Sequence, residues 1–350
     1  MADPFVIIGG DAAGLSAASK FKREQPNRDA IVFEKGDWVS YAHCGMPYYV
    51  KGEVDSLTDL LSLTPEEIAD RGIDLYRRHE VIAVEPEKHT VTVKSEEKTF
   101  EQSYEELLIA TGAHAVSEPI EGSSLDGVFT MHHMDTAGTL RAYLKPPNKV
   151  NPATFEGKYI DRDRVETYAD KKPPESAVIV GGGYVGVEMA EALRTHDLDV
   201  HLFQRPDQIL PPFGSAVGDH VAETLKNHDV TVHLGTEVEA IFGEDHVAGV
   251  RFDDGQIQTD LVLLGIGIRP NTDLIQETEI KCGDSEAIRT DKYGRTNVDD
   301  IFAAGDCAEM RHTVTGEMTW VPLGLTANRA GRAIGNTVAG SPTPVGEIAG

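Results

Sequence analysis

Short apolar runs alternate along the chain with longer stretches of small and polar residues. Pro4-Phe-Val-Ile-Ile-Gly-Gly10 reads as a buried strand ending in glycine, Ala12 to Lys22 is compatible with a helix, and Asp29-Ala-Ile-Val-Phe-Glu34 is a second apolar run. Strand, turn, helix and strand in that order predict a βαβ unit of a parallel sheet. The pattern returns at Ser176-Ala-Val-Ile-Val-Gly-Gly-Gly183, Tyr184 to Thr195 and Asp199-Val-His-Leu-Phe203, an internal repeat about half a chain apart. Next come the alternating runs Thr231-Val-His-Leu, Val238-Glu-Ala-Ile-Phe, Val247-Ala-Gly-Val-Arg-Phe and Gln256-Ile-Gln. With Asp253-Asp-Gly255 as a hairpin turn, they predict a meander attached to the second sheet. Residues 145–175 are rich in Pro, Lys, Asp and Tyr without helical periodicity and are expected to form a connection or insertion.

The two turns carry candidate chemistry. Gly9-Gly-Asp-Ala-Ala-Gly14 places a glycine where the strand must turn and another where a helix packs close, so that a pyrophosphate can rest on the helix N-terminus. Asp11 holds the middle glycine position, a departure from the ideal loop. Glu34, at the end of the next strand, is placed to accept a ribose hydroxyl. Gly181-Gly-Gly183-Tyr-Val-Gly186 matches G-x-G-x-x-G throughout, but its following strand ends Phe203-Gln204-Arg205, with no acid. An acid there would repel a 2′-phosphate, whereas Arg205 could pair with one, so NADPH is favoured over NADH. Two such loops in one chain predict two dinucleotides, a pairing typical of a flavin exchanging hydride with a nicotinamide.

Composition narrows the classes. The 350 residues suffice for two cores, and 40% hydrophobic with 26% charged residues is ordinary for a soluble globular chain. No apolar run approaches the ~20 residues of a membrane span, and Met-Ala-Asp-Pro runs straight into a strand, so a cytoplasmic location is expected. A net charge of −26, spread along the chain, argues against nucleic acid and fits a halophilic surface. The cysteines Cys44, Cys282 and Cys307 lack disulfide-scaffold or zinc spacing, which leaves one thiol with a specific task as the natural reading. Cys282, in a polar context, and Cys307, as wall packing, are expected to be inert.

With further motifs in place, the chain resembles the pyridine-nucleotide–disulfide oxidoreductases over essentially its whole length. Leu107-Leu-Ile-Ala-Thr-Gly112 is similar to the family's strand-to-crossover motif, Gly265-Ile-Gly-Ile-Arg-Pro-Asn271 to the segment closing the nicotinamide domain, and Ile301-Phe-Ala-Ala-Gly-Asp306 to the second FAD motif. The resemblance implies an α/β fold of two Rossmann-like (three-layer ββα) nucleotide-binding domains. The NAD(P)H domain, 119–287, would be inserted in a discontinuous FAD domain, 1–118 and 288–350. It also implies a C-terminal interface domain for dimerisation, about where this sequence stops.

By the same resemblance, Gly9, Gly10, Asp11, Ala12, Ala13, Gly14, Glu34, Lys35, Val81, Ala110, Thr111, Gly112, Gly305 and Asp306 would hold FAD. The helix start at Leu325, Thr326 and Ala327 would lie at the flavin pyrimidine. Gly181, Gly183, Tyr184, Val185, Gly186, Glu188, Gln204, Arg205 and Gly267 would hold the nicotinamide dinucleotide. Tyr184 would cover the flavin and swing aside, and Glu188 would orient the carboxamide.

The segment Ser40-Tyr-Ala-His-Cys44-Gly-Met-Pro-Tyr-Tyr49 singles out Cys44. Two-cysteine disulfide reductases carry C-x-x-x-x-C, and here Tyr49 takes the second position. The run S-x-x-x-C-G-x-P-Y is similar to coenzyme A disulfide reductases. Ala12 stands where the NADH oxidases and peroxidases of the family carry a histidine. Cys44 is expected at a helix start, where the dipole favours the thiolate, with His43 beside it. Ser16, Lys20, Arg23, Ser40 and His43 match positions that hold coenzyme A, though Lys20 and His43 depart in residue type, and Asn328 stands where a histidine can meet substrate. The implied reaction passes electrons from NAD(P)H through FAD to a mixed disulfide on Cys44. Two alternatives stay open: an NAD(P)H oxidase or peroxidase working through a Cys44 sulfenic acid, and a nucleotide-binding flavoprotein without turnover.

Overall fold

The computed structural model describes residues 3–117, 120–144 and 162–349. It divides into two compact units, one of residues 1–41, 61–114 and 269–350, the other of 42–60 and 115–268.

The first unit is built on a parallel sheet with strand order Ile301–Ala303, Glu106–Ile109, Phe5–Ile8, Ala30–Glu34, Asp74–Arg77. Ile7 lies opposite both Val32 and Leu108, so the strand leading to the first glycine turn is central and buried on both faces. Strand alternation then sorts the layers. Phe5 and Ile7 pack with Ala17, Phe21, Ala330 and Ile334 of the helices Ala12–Glu24 and Gly324–Val338. Val6 and Ile8 pack instead with Val81, Val84, Val91 and Val93 of an antiparallel meander, Glu80–Glu85, Thr90–Lys94 and Thr99–Ser103. The two helices meet through small residues: a Cβ on Gly331 would stand 2.1 Å from the Ala13 carbonyl oxygen.

The second unit repeats the scheme, with parallel order Val230–Leu234, Asp199–Gln204, Ser176–Val180, Leu261–Leu264, Val128–Thr130. Val178, Val180, Phe203 and Val262 pack against Val238, Ile241, Val247 and Val250 of the antiparallel strands Val238–Gly243, Val247–Phe252 and Gly255–Gln258. The three-layer α/β expectation is met in both units.

Three expectations change in detail. Val230–Leu234 pairs parallel to Asp199–Gln204, because the helix Ser215–Asn227 returns the chain across the sheet before it; the run Thr231-Val-His-Leu is therefore an outer strand and not part of the meander. Within 145–175, residues 145–161 lie outside the described ones, but Arg162–Ala169 is a helix, which buries Val165 and Tyr168, and the Gly127 N–H donates to the Tyr168 hydroxyl at 2.8 Å. The division also differs from 1–118, 119–287 and 288–350. Residues 42–60 go with the second unit because the helix Met46–Lys51 packs there. The Arg141 guanidinium lies 4.3 Å from the Tyr49 ring centre, Lys51 pairs with Glu191 at 2.8 Å, and a His196 ring nitrogen meets the Val50 carbonyl at 2.8 Å. Residues 269–287 go with the first unit, where Ile275 and Ile280 join its core. Among the described residues no helix is long and apolar enough to cross a membrane.

Candidate active site

In the first unit the turn after Phe5–Ile8 is set by glycine. Gly9 has φ +109°, and a Cβ there would fall 2.1 Å from the Ala110 carbonyl oxygen; one on Gly14 would fall 2.0 Å from the Gly9 carbonyl oxygen. The Gly10 N–H donates to Glu34 Oε2 at 2.9 Å and the Gly36 N–H to Oε1 at 2.7 Å, so the carboxylate closes the turn at the strand end. Burial pushes the Glu34 carboxyl above the usual range, against the two N–H donors, which favour the charged form.

Asp11 precedes the helix Ala12–Glu24 but does not cap it. Its Oδ1 accepts the Tyr41 N–H at 3.1 Å, tying the turn to the segment that leads to Cys44. No acid occupies the first helical turn, as anion binding there requires. Ser40 adds a left-handed backbone (φ +50°); its N–H donates to the Gly10 carbonyl at 3.0 Å.

The remaining walls of this cradle come from the other motifs. Gly305 has φ +82° and brings its Cα side within 3.2 Å of the Ala13 Cβ, measured from a Cβ built there. Trp320 donates to the Asp306 carbonyl at 2.8 Å. Thr111 donates to the Asn271 carbonyl at 2.6 Å, and the Asn271 side chain returns a bond to the Thr111 carbonyl at 2.8 Å. That reciprocal latch between the two motifs was not legible in sequence, since 160 residues separate the partners. The helix Gly324–Val338 has no side-chain cap and no acid in its first turn; Leu325 is exposed and Thr326 buried. Val81 is buried in the meander core, and Lys35 is exposed beside Glu34. Ser16 donates to Asn328 Oδ1 at 2.7 Å, so two of the expected substrate residues meet each other. Lys20 pairs with Glu24 at 2.6 Å, whose carboxyl is held below its ordinary value by that bond, and Arg23 follows one turn on.

The second unit holds an almost identical turn. Gly181 has φ +108°, with a Cβ position 2.3 Å from the Gly265 carbonyl oxygen, and Gly186 approaches the Gly181 oxygen to 1.9 Å by the same measure. A Cβ on Gly183 would meet nothing within 4 Å, which leaves the loop's outer edge open to a ligand. The Gly182 N–H donates to Gln204 Oε1 at 2.8 Å. Tyr184 is 61% exposed, its ring edge-on to Phe213 at 5.7 Å. Burial, and then Glu191, raise the Glu188 carboxyl from its usual value.

Cys44 is exposed, in a 3-10 turn of His43–Gly45 directly ahead of the helix Met46–Lys51, close to the helix start the sequence suggested. A Cβ on Gly45 would fall 2.4 Å from Leu60 Cδ2, so a larger residue there would make the Leu60 side chain shift. The His43 and His132 rings lie 5.6 Å apart. Tyr49, at the position of a second cysteine, is 3% exposed under Arg141, and burial pushes its hydroxyl up to about 12. All three cysteines are free thiols; Cys307 is fully buried, and burial raises both its thiol and that of Cys282.

The sequence profile described as pyridine nucleotide-disulphide oxidoreductase matches residues 3–327. The chain belongs to that family. Pyridine nucleotide-disulphide oxidoreductases use FAD and NAD(P)H, and the two cradles fit that pair: each has a positive-φ glycine, a close helix and a strand-end side chain that closes the turn. The chain is 40% identical over 336 residues to the NAD(P)H sulfur oxidoreductase (CoA-dependent) of Pyrococcus abyssi, covering 96% of itself and 69% of the relative. It is 28% identical to the coenzyme A disulfide reductase of Staphylococcus aureus, covering 97% of itself and 71% of that protein. It superposes on the solved NAD-dependent persulfide reductase of A. fulgidus with a TM-score of 0.87 at 30% identity, covering 99% of itself and spanning 61% of that chain.

The Glu34 geometry carries an expected pH dependence. A raised carboxyl keeps its proton to higher pH than a free glutamate, and only the ionised form accepts fully from a ribose hydroxyl. FAD affinity of the apoprotein is therefore expected to fall with falling pH at values above the ordinary glutamate range, and Glu34→Gln to flatten that profile. Titration of apoprotein with FAD by fluorescence quenching checks it; a parallel slope in the variant would remove Glu34 as the cause.

Proposed function

We propose that the chain is an FAD-dependent NAD(P)H oxidoreductase that reduces a coenzyme A-linked disulfide or persulfide through the single thiol of Cys44. The observation that carries this reading is an exposed Cys44 with no second thiol available at position 49, where a buried Tyr49 is sealed by Arg141. An internal dithiol cannot form there, which supports a disulfide partner supplied by the substrate.

FAD held by the Gly9–Gly14 turn, Glu34 and Asp306 would supply the two-electron relay between the nicotinamide and sulfur. The protein's own steps are then simple. The Cys44 thiolate attacks one sulfur of RS–SR′, forming the Cys44–S–S–R bond and releasing R′S⁻, which takes up a proton. Two electrons from NAD(P)H break that bond, restoring the Cys44 thiolate and releasing RSH. The balance is NAD(P)H + H⁺ + RSSR′ giving NAD(P)⁺ + RSH + R′SH. For a persulfide, R′SH is H₂S. Ser16, Lys20 and Arg23, on one helix face with Asn328 beside Ser16, supply polar and cationic groups suited to the phosphates of a coenzyme A carrier.

The test is to supply coenzyme A disulfide anaerobically with NAD(P)H, count thiols released and identify what Cys44 carries by mass spectrometry. A coenzyme A adduct with two thiols per nicotinamide oxidised is the expected result. A sulfenic acid on Cys44 with oxygen uptake and no thiol release would replace this reading with the oxidase one.

A further inference from the structure

The outer edge of the second sheet carries two imidazoles in direct contact. Val230–Leu234 is the edge strand and pairs with Asp199–Gln204. Their parallel register sets His233 opposite Phe203 and Thr231 opposite His201. His233 stacks on Phe203, with ring centres 4.2 Å apart and planes 6° from parallel, and reaches diagonally to His201. His201 Nδ1 and His233 Nε2 lie 3.0 Å apart, and the His201 side chain is only 17% exposed.

At that distance one proton lies between the two nitrogens, donated by one ring and accepted by the other. A proton on both facing nitrogens sets two N–H groups and two positive rings against each other, and the contact breaks. Asp199 Oδ2 stands 3.6 Å from the other His201 nitrogen, Nε2, where a proton faces a carboxylate. The acid-sensitive position is therefore His233, whose imidazole is held below the ordinary histidine range by burial and then by His201. Its neutral form contributes stability that is complete above the ordinary range and is lost as pH falls from there through the lowered value. Among the described residues no other acid or base is paired with either ring. The meander on this face brings the Phe252 ring to 6.1 Å from His233, while its Arg251 and Glu239 face each other at 3.7 Å.

This edge is tied to the glycine turn. The Phe203 carbonyl accepts the Gly181 N–H at 2.8 Å, and Gln204 Oε1 accepts the Gly182 N–H while its Nε2 donates to the Gln208 carbonyl at 3.0 Å. The first unit has the same frame without the imidazoles. There the Phe33 carbonyl accepts the Gly9 N–H at 2.8 Å, Phe33 lies opposite Tyr76, and Ile31 and Tyr76 hold the places of His201 and His233. We propose that the His201–His233 contact is an acid-sensitive clip on the second unit: charging both rings separates them, frees the edge strand and loosens the turn that holds the nicotinamide dinucleotide. The coupling to the nucleotide rests on the second unit's binding it. The clip itself does not, and neither depends on Cys44 or on which disulfide is reduced.

The experiment compares the FAD-loaded protein with His233→Tyr, which copies the first unit and keeps a ring on Phe203, from about pH 8 to about pH 5. Hydrogen exchange of residues 230–234, corrected for the intrinsic rate, reads the clip without nucleotide. The parent is expected to lose about tenfold of its protection there in acid, as one linked proton allows per pH unit, and the variant to keep it. Residues 30–34 should behave alike in both proteins. NAD⁺ is the probe for the turn, since it has no phosphate monoester to titrate. Its affinity for the parent, by calorimetry, should fall by up to about tenfold per pH unit over the same range, with a flatter profile in the variant. Glu188, whose carboxyl burial raises, titrates in both proteins and cancels in the difference. Should His233→Tyr fail to fold, His201→Ile, the other half of the first unit's pattern, decides in its place. Equal acid dependence of exchange in parent and variant overturns the clip. Lost protection with parallel NAD⁺ profiles overturns its coupling to the turn. Absence of NAD⁺ binding at every pH strikes the functional reading, and the exchange result then decides the clip alone.

Discussion

Replacing Cys44 by serine is expected to abolish reduction of a coenzyme A-linked disulfide, by roughly 10³-fold or more, while NAD(P)H still bleaches the flavin absorbance. The two effects separate because the side chains involved are separate. The dinucleotide turns close on Glu34 and Gln204, and neither uses the thiol. Cys44 lies in its own 3-10 turn, fixed by the bond from the Gly45 N–H to the Ala42 carbonyl at 2.9 Å and by that from the Ala42 N–H to the Leu60 carbonyl at 2.8 Å. A serine fits that turn without strain, but its hydroxyl is a far weaker nucleophile and cannot form the mixed disulfide. Cys307 is buried, and the Cys282 thiol, though exposed, is raised by desolvation and by Glu309 and Glu286. Anaerobic stopped-flow spectra, with and without disulfide, read both half-reactions; disulfide-dependent reoxidation surviving in the serine variant would remove Cys44 from the chemistry.

The second large effect is expected at Gly9. Alanine there must adopt φ +109° and place its Cβ 2.1 Å from the carbonyl oxygen of Ala110, a backbone atom just past the end of the neighbouring strand Glu106–Ile109. Backbone strain of about 1–3 kcal/mol adds to an overpacking cost of about 1–3 kcal/mol, against a total stability of only about 5–15 kcal/mol. Gly9→Ala is therefore expected to lose bound FAD and to melt several degrees lower. Gly183→Ala is the counterpart, since its φ is −80° and a Cβ there meets nothing; it should keep the parent's thermal midpoint and its FAD, and weaken only nicotinamide dinucleotide binding. Equal melting of the two variants would show that close packing does not govern the turns.

The reach of the sequence can be seen residue by residue. Both turns were legible because a positive-φ glycine and a close helix impose local demands on residue type, and local demands survive in a one-dimensional pattern. The meander of Glu80–Glu85, Thr90–Lys94 and Thr99–Ser103 went unread, although Thr90-Val-Thr-Val carries the period-two signal that could have found it. Val230–Leu234 was read as meander because alternation alone does not say which sheet a strand joins; the helix Ser215–Asn227 before it decides that.

By itself, then, the sequence determined the two dinucleotide turns and the α/β layering, both set by residue type at short spacing, and it singled out Cys44 as the candidate thiol. Only the tertiary structure decided that residues 42–60 pack with the second unit, that Tyr49 is sealed by Arg141, that Thr111 and Asn271 latch two motifs together, and that the Gln204 amide is committed at both ends. The physical reason is common to all four. Each depends on which distant groups are brought within hydrogen-bonding or van der Waals reach once apolar faces are buried, and no local pattern encodes the identity of a partner far away along the chain.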